Sequence, residues 1–138
     1  MRTLGQLVDH SRPLYTLTPD TITLEACHLM AAQGVGCVLV VEKGLPVGIF
    51  TERDLLVRLV TRGLPPEETP LRDVMTRQLV LGDVSEPYHE GLRRMQDANC
   101  RHLPICREGR LVGVLSMRDL LLAGVEVIKE RLEGAARR

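Results

Sequence analysis

The sequence predicts an α/β fold made of two tandem copies of one strand-helix-strand-strand-helix unit. Three observations support this prediction: a repeat at a fixed offset, the alternation of β-rich runs with segments of helical periodicity, and turn residues between them. The clearest sign of the repeat is GIFTERDLL at 48–56, which returns as GVLSMRDLL at 113–121.

The repeat keeps its register over a long stretch. When the chain is shifted by 65 residues, eight of 27 ungapped positions are identical between 30–56 and 95–121. These identities are Met30, Gly44, Val47, Gly48, Arg53, Asp54, Leu55 and Leu56 with their partners. A match of this length without a gap indicates a duplication.

The first copy shows the elements of the unit in order. We expect a short strand at 14–18, a helix at 23–33 closed by Gly34, a buried strand at 35–41 and a second strand at 47–50. Apolar residues at helical spacing identify the helix. A last helix should run from Glu52 to about Arg62 and end at Gly63.

The second copy repeats this order. A strand at 79–83 precedes a helix that opens near Pro87 and closes at Asn99, a residue that tolerates the left-handed conformation. Strands at 102–106 and 111–115 follow, and a helix starts at Met117. We therefore divide the chain into a first repeat (1–63), a linker (64–70), a second repeat (71–124) and a separate C-terminal helix (125–138).

Composition bounds the function. The 138 residues are 44% hydrophobic and 26% charged, with 18 basic and 18 acidic side chains, which is typical of a soluble globular protein and argues against a nucleic-acid partner. No apolar run is long enough for a membrane span and no signal peptide is seen, so we expect a cytoplasmic protein with reduced cysteines. Cys100, His102 and Cys106 alternate onto one strand face, but a fourth zinc ligand is missing, and buried free cysteines are expected instead.

GIFTERDL, GVLSMRDL and RHLPI together resemble the motifs of the CBS (cystathionine β-synthase) domain, over about residues 1–124. Two tandem copies resemble a CBS pair, or Bateman module, and a stand-alone CBS-domain protein is expected. The resemblance implies two repeats packed around a pseudo-twofold axis. It further implies clefts between their sheets that bind AMP, ADP, ATP or S-adenosylmethionine, frequent dimerisation, and no catalysis.

The motif at the end of each repeat has two interpretations. As a capping box, Thr51 or Ser116 caps a helix and the acid three residues later accepts from the backbone N–H of the cap. As a ligand site, the helix N-terminus and hydroxyl suit phosphate, and the acid suits a ribose diol. Gly48 and Gly113 favour the second interpretation, because a residue without Cβ lets another group approach the strand closely. The resemblance gives ribose contacts to Asp54 and Asp119.

The resemblance also implies which residues share a cleft. One cleft would combine Ser116 and Asp119 with Thr21, Val35, Gly36 and Cys37. The other would combine Thr51 and Asp54 with Cys100 and Arg101, with His102 next in the strand. Glu86 stands where the first copy has Thr21, and a carboxylate near a phosphate is unfavourable, so the clefts should differ.

Two hypotheses about function follow. The first is a regulatory sensor that binds an adenosine compound and acts in trans on an unidentified protein, without a required cofactor. The second is a structural dimerisation adaptor with empty clefts. No nucleophile–base pair or metal cluster suggests an enzyme. A homodimer is expected in either case, through apolar helix faces at Leu55, Leu56, Leu59, Leu120, Leu121 and Leu122.

Overall fold

The computed structural model describes residues 2–137 and folds them into two compact α/β units. The first unit comprises residues 13–79, and the second comprises residues up to Arg12 together with those from Val80 onward. The two units therefore do not follow the order of the repeats along the chain. The N-terminal segment packs with the second repeat, and residues 64–79, which include the predicted linker and the start of the predicted second repeat, pack with the first.

The first unit contains a three-stranded sheet and its helices. Strand β1 (Thr16–Leu17) lies parallel to β2 (Cys37–Glu42), and β2 pairs antiparallel with β3 (Leu45–Thr51). Helix α2 (Thr23–Gln33) ends at Gly34, which has a φ of 65° and so confirms the predicted left-handed cap. Helix α3 (Glu52–Asp54) continues as a π-helix (Leu55–Val60), and a 3₁₀ turn follows at Leu71–Asp73.

The second unit repeats this sheet and adds a longer helix. It begins with α1 (Leu4–Leu7) and continues with β4 (Gly82–Asp83), α4 (Tyr88–Ala98), β5 (His102–Arg107), β6 (Arg110–Ser116) and α5 (Met117–Ala136). Strand β4 is parallel to β5, and β5 is antiparallel to β6. Asn99 closes α4 with a φ of 52°, as predicted.

Each core is completed by a segment from outside its repeat. Leu71, Val74 and Met75 lie in the core of the first unit, and Leu4 and Val8 lie in the core of the second. The docking hydrogen bonds are equivalent. The Leu71 N–H donates to the Thr21 carbonyl at 2.9 Å, and the Leu4 N–H donates to the Glu86 carbonyl at 2.8 Å.

Three features differ from the sequence-based expectation. The predicted helix over 52–62 is α-helical only at Glu52–Asp54, and beyond it the N–H of Thr61 donates to the carbonyl of Leu56, five residues back. The helix predicted at 125–138 is present as far as Ala136, but it is not separate, because α5 runs without a break from Met117 to Ala136; residue 138 lies outside the described residues. Residues assigned to the linker, such as Leu64 and the buried Thr69, pack or hydrogen-bond within the first unit.

The expected apolar helix faces are only partly exposed. Leu59 and Leu120 are buried in the cores of their own units, so they cannot belong to a dimer surface. Leu56, Leu121 and Leu122 are at least half exposed. Within residues 2–137, no helix combines the length and the apolarity that crossing a membrane requires.

Candidate functional site

In the second unit, the motif at the start of α5 leaves polar atoms without a partner among the residues that the structure describes. Ser116 caps the helix: its Oγ accepts from the Asp119 N–H at 3.1 Å, and Asp119 Oδ2 accepts from the Ser116 N–H at 2.8 Å. Among residues 2–137, no donor contacts Asp119 Oδ1, and the Ser116 hydroxyl donates to no acceptor. Both groups therefore remain able to bind a ligand.

In the first unit, the carboxylate and the hydroxyl of the same motif are already occupied by protein groups. The capping box is present, with the Asp54 N–H donating to Thr51 Oγ1 at 3.2 Å and the Thr51 N–H donating to Asp54 Oδ2 at 3.0 Å. Three further contacts reach the carboxylate. The Thr51 hydroxyl lies 3.1 Å from Oδ2, the Thr76 hydroxyl lies 2.8 Å from Oδ1, and the Arg58 Nε lies 3.2 Å from Oδ1. Asp54 is only 5% exposed.

The start of the middle strand lies beside the motif within each unit. Cys37 pairs with Thr51 across β2 and β3, and His102 pairs with Ser116 across β5 and β6. One residue earlier, the Gly36 carbonyl accepts from the Glu52 N–H at 3.2 Å. The Arg101 carbonyl accepts from the Met117 N–H at 2.8 Å in the same way. Val35 and Cys100 come just before these positions. The grouping of all these residues into two clefts stays a prediction.

An open depression of about 550 Å³ lies beside the second motif. Its lining combines cationic and polar side chains with apolar ones, including Arg101, His102, Ser116, Arg118, Leu121 and Leu122. Within the described part of the chain, no carboxylate forms an ion pair with Arg101 or Arg118. The depression therefore offers uncompensated positive charge next to the Ser116 hydroxyl, which suits an anionic group.

Thr21 and Glu86 share a structural role before their helices. Thr21 Oγ1 accepts from the Thr18 N–H at 3.3 Å, and Glu86 Oε1 accepts from the Asp83 N–H at 2.8 Å. Arg94 donates to both oxygens of Glu86, and this hydrogen bonding lowers the pKa of Glu86 below its ordinary value. The negative charge expected to oppose phosphate is thus neutralised within its own unit.

The glycines of the motif accommodate protein rather than ligand. A Cβ on Gly48 would lie 2.5 Å from Met75 Sδ, and a Cβ on Gly113 would lie 2.5 Å from Val8 Cγ1. The prediction that Gly48 and Gly113 make room for a ligand is therefore wrong. The two glycines instead let the incoming segments cross the strands.

The cysteines are not poised for chemistry. Burial raises the pKa of Cys37 to about 12, and burial also raises the pKa of Cys27, Cys100 and Cys106. These thiols therefore stay protonated at neutral pH and are weak nucleophiles and metal ligands. Among residues 2–137, no three His, Cys, Asp or Glu side chains are grouped so that they could hold a metal ion.

Three site residues were missed by sequence analysis. Arg58 had a detectable signal, since it lies four residues after Asp54 on a predicted helix. Arg94 had a weaker one, because it follows Glu86 by eight residues across a helix start. Thr76 had none, since it contacts Asp54 from 22 residues away.

Comparison with known proteins identifies the family. The CBS-domain family model matches residues 4–61 and 71–126. The CBS domain-containing protein YhcV of Bacillus subtilis is 33% identical over 105 residues, which cover 76% of this chain and 74% of that protein. An uncharacterised protein of Methanopyrus kandleri is 35% identical over 112 residues, which cover 80% of this chain and 57% of its own length. The chain thus spans little more than half of this second relative.

Solved structures agree with the sequence comparison. The crystal structure of the CBS domain NE2398 matches with a TM-score of 0.84 and 28% identity, covering 91% of this chain and 99% of that one. The CBS domain protein PAE2072 of Pyrobaculum aerophilum, whose structure is complexed with AMP, matches with a TM-score of 0.77 and 28% identity over 86% of this chain and 89% of that one. The chain belongs to the CBS-domain family and carries two copies of the domain.

Proposed function

We propose that this chain is a regulatory module that binds an adenosine nucleotide and acts in trans on another protein, without catalysis of its own. The observation that carries the proposal is the motif at the start of α5, where a carboxylate oxygen and a hydroxyl hydrogen have no partner within residues 2–137. The AMP complex of the Pyrobaculum CBS protein, which is 28% identical, supports adenosine as the ligand class.

The chemistry of the second unit suits the two ends of such a ligand. A ribose diol presents two hydroxyl donors, and Asp119 Oδ1 has acceptor positions to receive them. A phosphate is an anion, and Arg101 and Arg118 supply cationic donors beside the Ser116 hydroxyl. Arg101→Ala should therefore weaken binding of ATP more than binding of AMP, and it should affect adenosine least.

Thermal unfolding with AMP, ADP, ATP and S-adenosylmethionine tests the proposal directly. A ligand present at about a hundred times its dissociation constant should stabilise the folded state by roughly 2.7 kcal/mol. Asp119→Asn removes the free acceptor while keeping an oxygen for the Ser116 N–H, so it should abolish most of the shift. If none of the four compounds changes the melting temperature of the wild type, the adenosine proposal is wrong.

A second candidate function is homodimerisation. The duplication leaves the same three positions apolar and at least half exposed in both units, since Leu56, Val57 and Val60 correspond to Leu121, Leu122 and Val125. Contiguous exposed apolar side chains mark interaction surfaces, and self-association is the commonest way to cover them. We propose that a second copy of the chain buries these residues.

Sedimentation equilibrium tests the dimer. Val125→Glu places a charge at the exposed apolar face and should weaken self-association by about tenfold or more. Leu45→Glu, at another exposed apolar position on β3, serves as the matched control and should leave the association unchanged. A wild-type chain that sediments only at 15.4 kDa at high concentration would contradict the proposal.

A further inference from the structure

We infer that the two motifs are not equivalent binding sites. The Ser116–Asp119 motif is open to a nucleoside, whereas contacts from Arg58 and Thr76, which we call the latch, occupy the Asp54 carboxylate. This inference rests on the proposed adenosine binding and specifies which carboxylate performs it. It predicts one nucleotide per chain, although the residues Thr/Ser-x-x-Asp occur twice.

The two carboxylates differ in how much of their hydrogen-bond capacity is already used. An ionised carboxylate has about four acceptor positions. Both oxygens of Asp54 are occupied: Oδ2 accepts from the Thr51 N–H and hydroxyl, Oδ1 accepts from the Thr76 hydroxyl, and Oδ1 also forms an ion pair with the Arg58 Nε at 3.2 Å. Among the described residues, Asp119 accepts only from the Ser116 N–H. A ribose diol could therefore bind Asp119 directly, but at Asp54 it would have to displace existing donors.

The hydroxyls of the two caps differ in the same direction. The Thr51 hydroxyl donates to Asp54 Oδ2 at 3.1 Å, so its hydrogen is already used. The Ser116 hydroxyl accepts from the Asp119 N–H and donates to no group within residues 2–137. Asp54 is 5% exposed, while Asp119 is half-buried. The contacts of the carboxylates, the contacts of the hydroxyls and the burial of the two aspartates all indicate the same difference. Of the two motifs, only the second is available to bind a ligand.

The duplication explains why the second unit lacks a latch. The residue equivalent to Arg58 at the 65-residue offset is Ala123, which is buried and carries no donor. Val8 fills the space at Gly113 that Met75 fills at Gly48, so the residue equivalent to Thr76 is Asp9. A carboxylate cannot donate a hydrogen bond to Asp119. Both latch donors of the first unit are therefore missing from the second.

The two parts of the latch are held with different strength. Thr76 is fixed by two backbone hydrogen bonds to Ile49, at 3.0 and 2.8 Å. The Arg58 side chain is 46% exposed and projects from the π-helix, so water can replace its contact with Asp54. Removing Arg58 alone leaves Thr76 on Oδ1, and both donors must be removed to free this oxygen.

Isothermal titration with AMP measures the number of sites. We expect the wild type to bind one AMP per chain. Asp119→Asn should weaken this binding by about tenfold or more, because its amide NH₂ cannot accept a ribose hydroxyl. Asp54→Asn should leave the dissociation constant within about twofold. The double variant Arg58→Ala/Thr76→Val frees Oδ1 and should bind a second AMP, while the matched exposed variant Arg62→Ala should still bind one.

The possible outcomes distinguish a failure of this inference from a failure of the proposed adenosine binding. Two equal sites in the wild type, or a single site lost in Asp54→Asn and kept in Asp119→Asn, would overturn the inference and leave adenosine binding intact. A double variant that is folded by circular dichroism and still binds one AMP would also overturn the latch. No binding of AMP, ADP, ATP or S-adenosylmethionine by any variant would overturn the proposed function as well.

Discussion

The two units have the same backbone fold and differ in the side chains that surround the repeated motif. Both close the central hairpin with two residues of positive φ, Lys43–Gly44 in the first and Glu108–Gly109 in the second. Both shift strand register at the same place, after Val40 and after Ile105. Both cap the last helix with a complete capping box. Yet, within residues 2–137, one capping carboxylate accepts three hydrogen bonds and forms an ion pair with Arg58, whereas the other accepts one hydrogen bond.

The helix after the motif shows a similar divergence. In the first unit it becomes a π-helix and ends at Val60, and in the second it runs as a 20-residue α-helix to Ala136. π-helical turns are rare and occur frequently at functional positions. Here the π-helix carries Arg58, which contacts Asp54. Identical residues in a duplicated motif therefore need not keep identical roles, because neighbours that are free to diverge decide which atoms remain available.

The largest expected effect tests the feature that the units share most closely, the segment that completes each core. Leu4 and Leu71 are both fully buried, so Leu4→Ala and Leu71→Ala should each lower the free energy of unfolding by about 2–5 kcal/mol. Urea unfolding measures this loss. Leu45→Ala, at a 55% exposed position, is the control and should change stability by less than about 0.5 kcal/mol.

If Leu4→Ala and Leu71→Ala differ strongly in their free energy of unfolding, the two segments do not have equivalent roles in the two cores. A Leu4→Ala variant as stable as Leu45→Ala would show that the N-terminal segment does not complete the second core. Because Leu4 is far along the chain from the core residues of the second repeat that it packs with, this result is the sharpest test of the exchanged packing.

Local features could be predicted from the sequence, and long-range ones could not. The bounds of α2, the caps at Gly34 and Asn99 and both capping boxes depend on residues within a few positions of each other. The exchange of segments depends on contacts between residues far apart, such as Val8 against Gly113. No local pattern encodes such a contact, so residues 64–70 were interpreted as a linker.

In the candidate site, too, the local features could be predicted from the sequence and the long-range contacts could not. The carboxylates and hydroxyls were located from the motif, because a capping box is local. The saturation of Asp54 was not foreseen, since one of its donors comes from the segment beyond the repeat. Glu86 was interpreted as an unfavourable charge because its partner Arg94 lies on the following helix.

The second prediction compares the two carboxylates without ligand. Asp54→Asn removes the charge from a buried group that accepts three hydrogen bonds and forms an ion pair, so it should lower the free energy of unfolding by roughly 2 kcal/mol. Asp119→Asn affects only an accessible cap and should cost about 1 kcal/mol or less. Urea unfolding of both variants at pH 7 measures the difference. Equal losses would mean that the extra contacts of Asp54 do not stabilise the first unit.

The smallest expected effect concerns Thr21 and Glu86, which cap equivalent turns with a neutral and an ionised group. Hydrogen bonding to Arg94 lowers the pKa of Glu86 below the ordinary 4.5, so the folded state favours the ionised form. The stabilisation is therefore complete above pH 4.5 and disappears as the pH falls through the lowered pKa.

Because both side chains of this pair are partly exposed, Glu86→Gln should cost about 1 kcal/mol or less at pH 7. In urea unfolding repeated at decreasing pH, the difference between the wild type and Glu86→Gln should begin to shrink near pH 4.5, where the unfolded wild type takes up a proton at Glu86. It should disappear below the lowered pKa of Glu86 in the folded state, where that carboxylate is neutral as well. Thr21→Ala is the matched control: its cost should stay constant with pH, because a hydroxyl does not titrate in this range. A Glu86→Gln cost that is equally independent of pH would show that the two turns are capped in the same way despite the charge, and that the ion pair with Arg94 contributes nothing to the second unit.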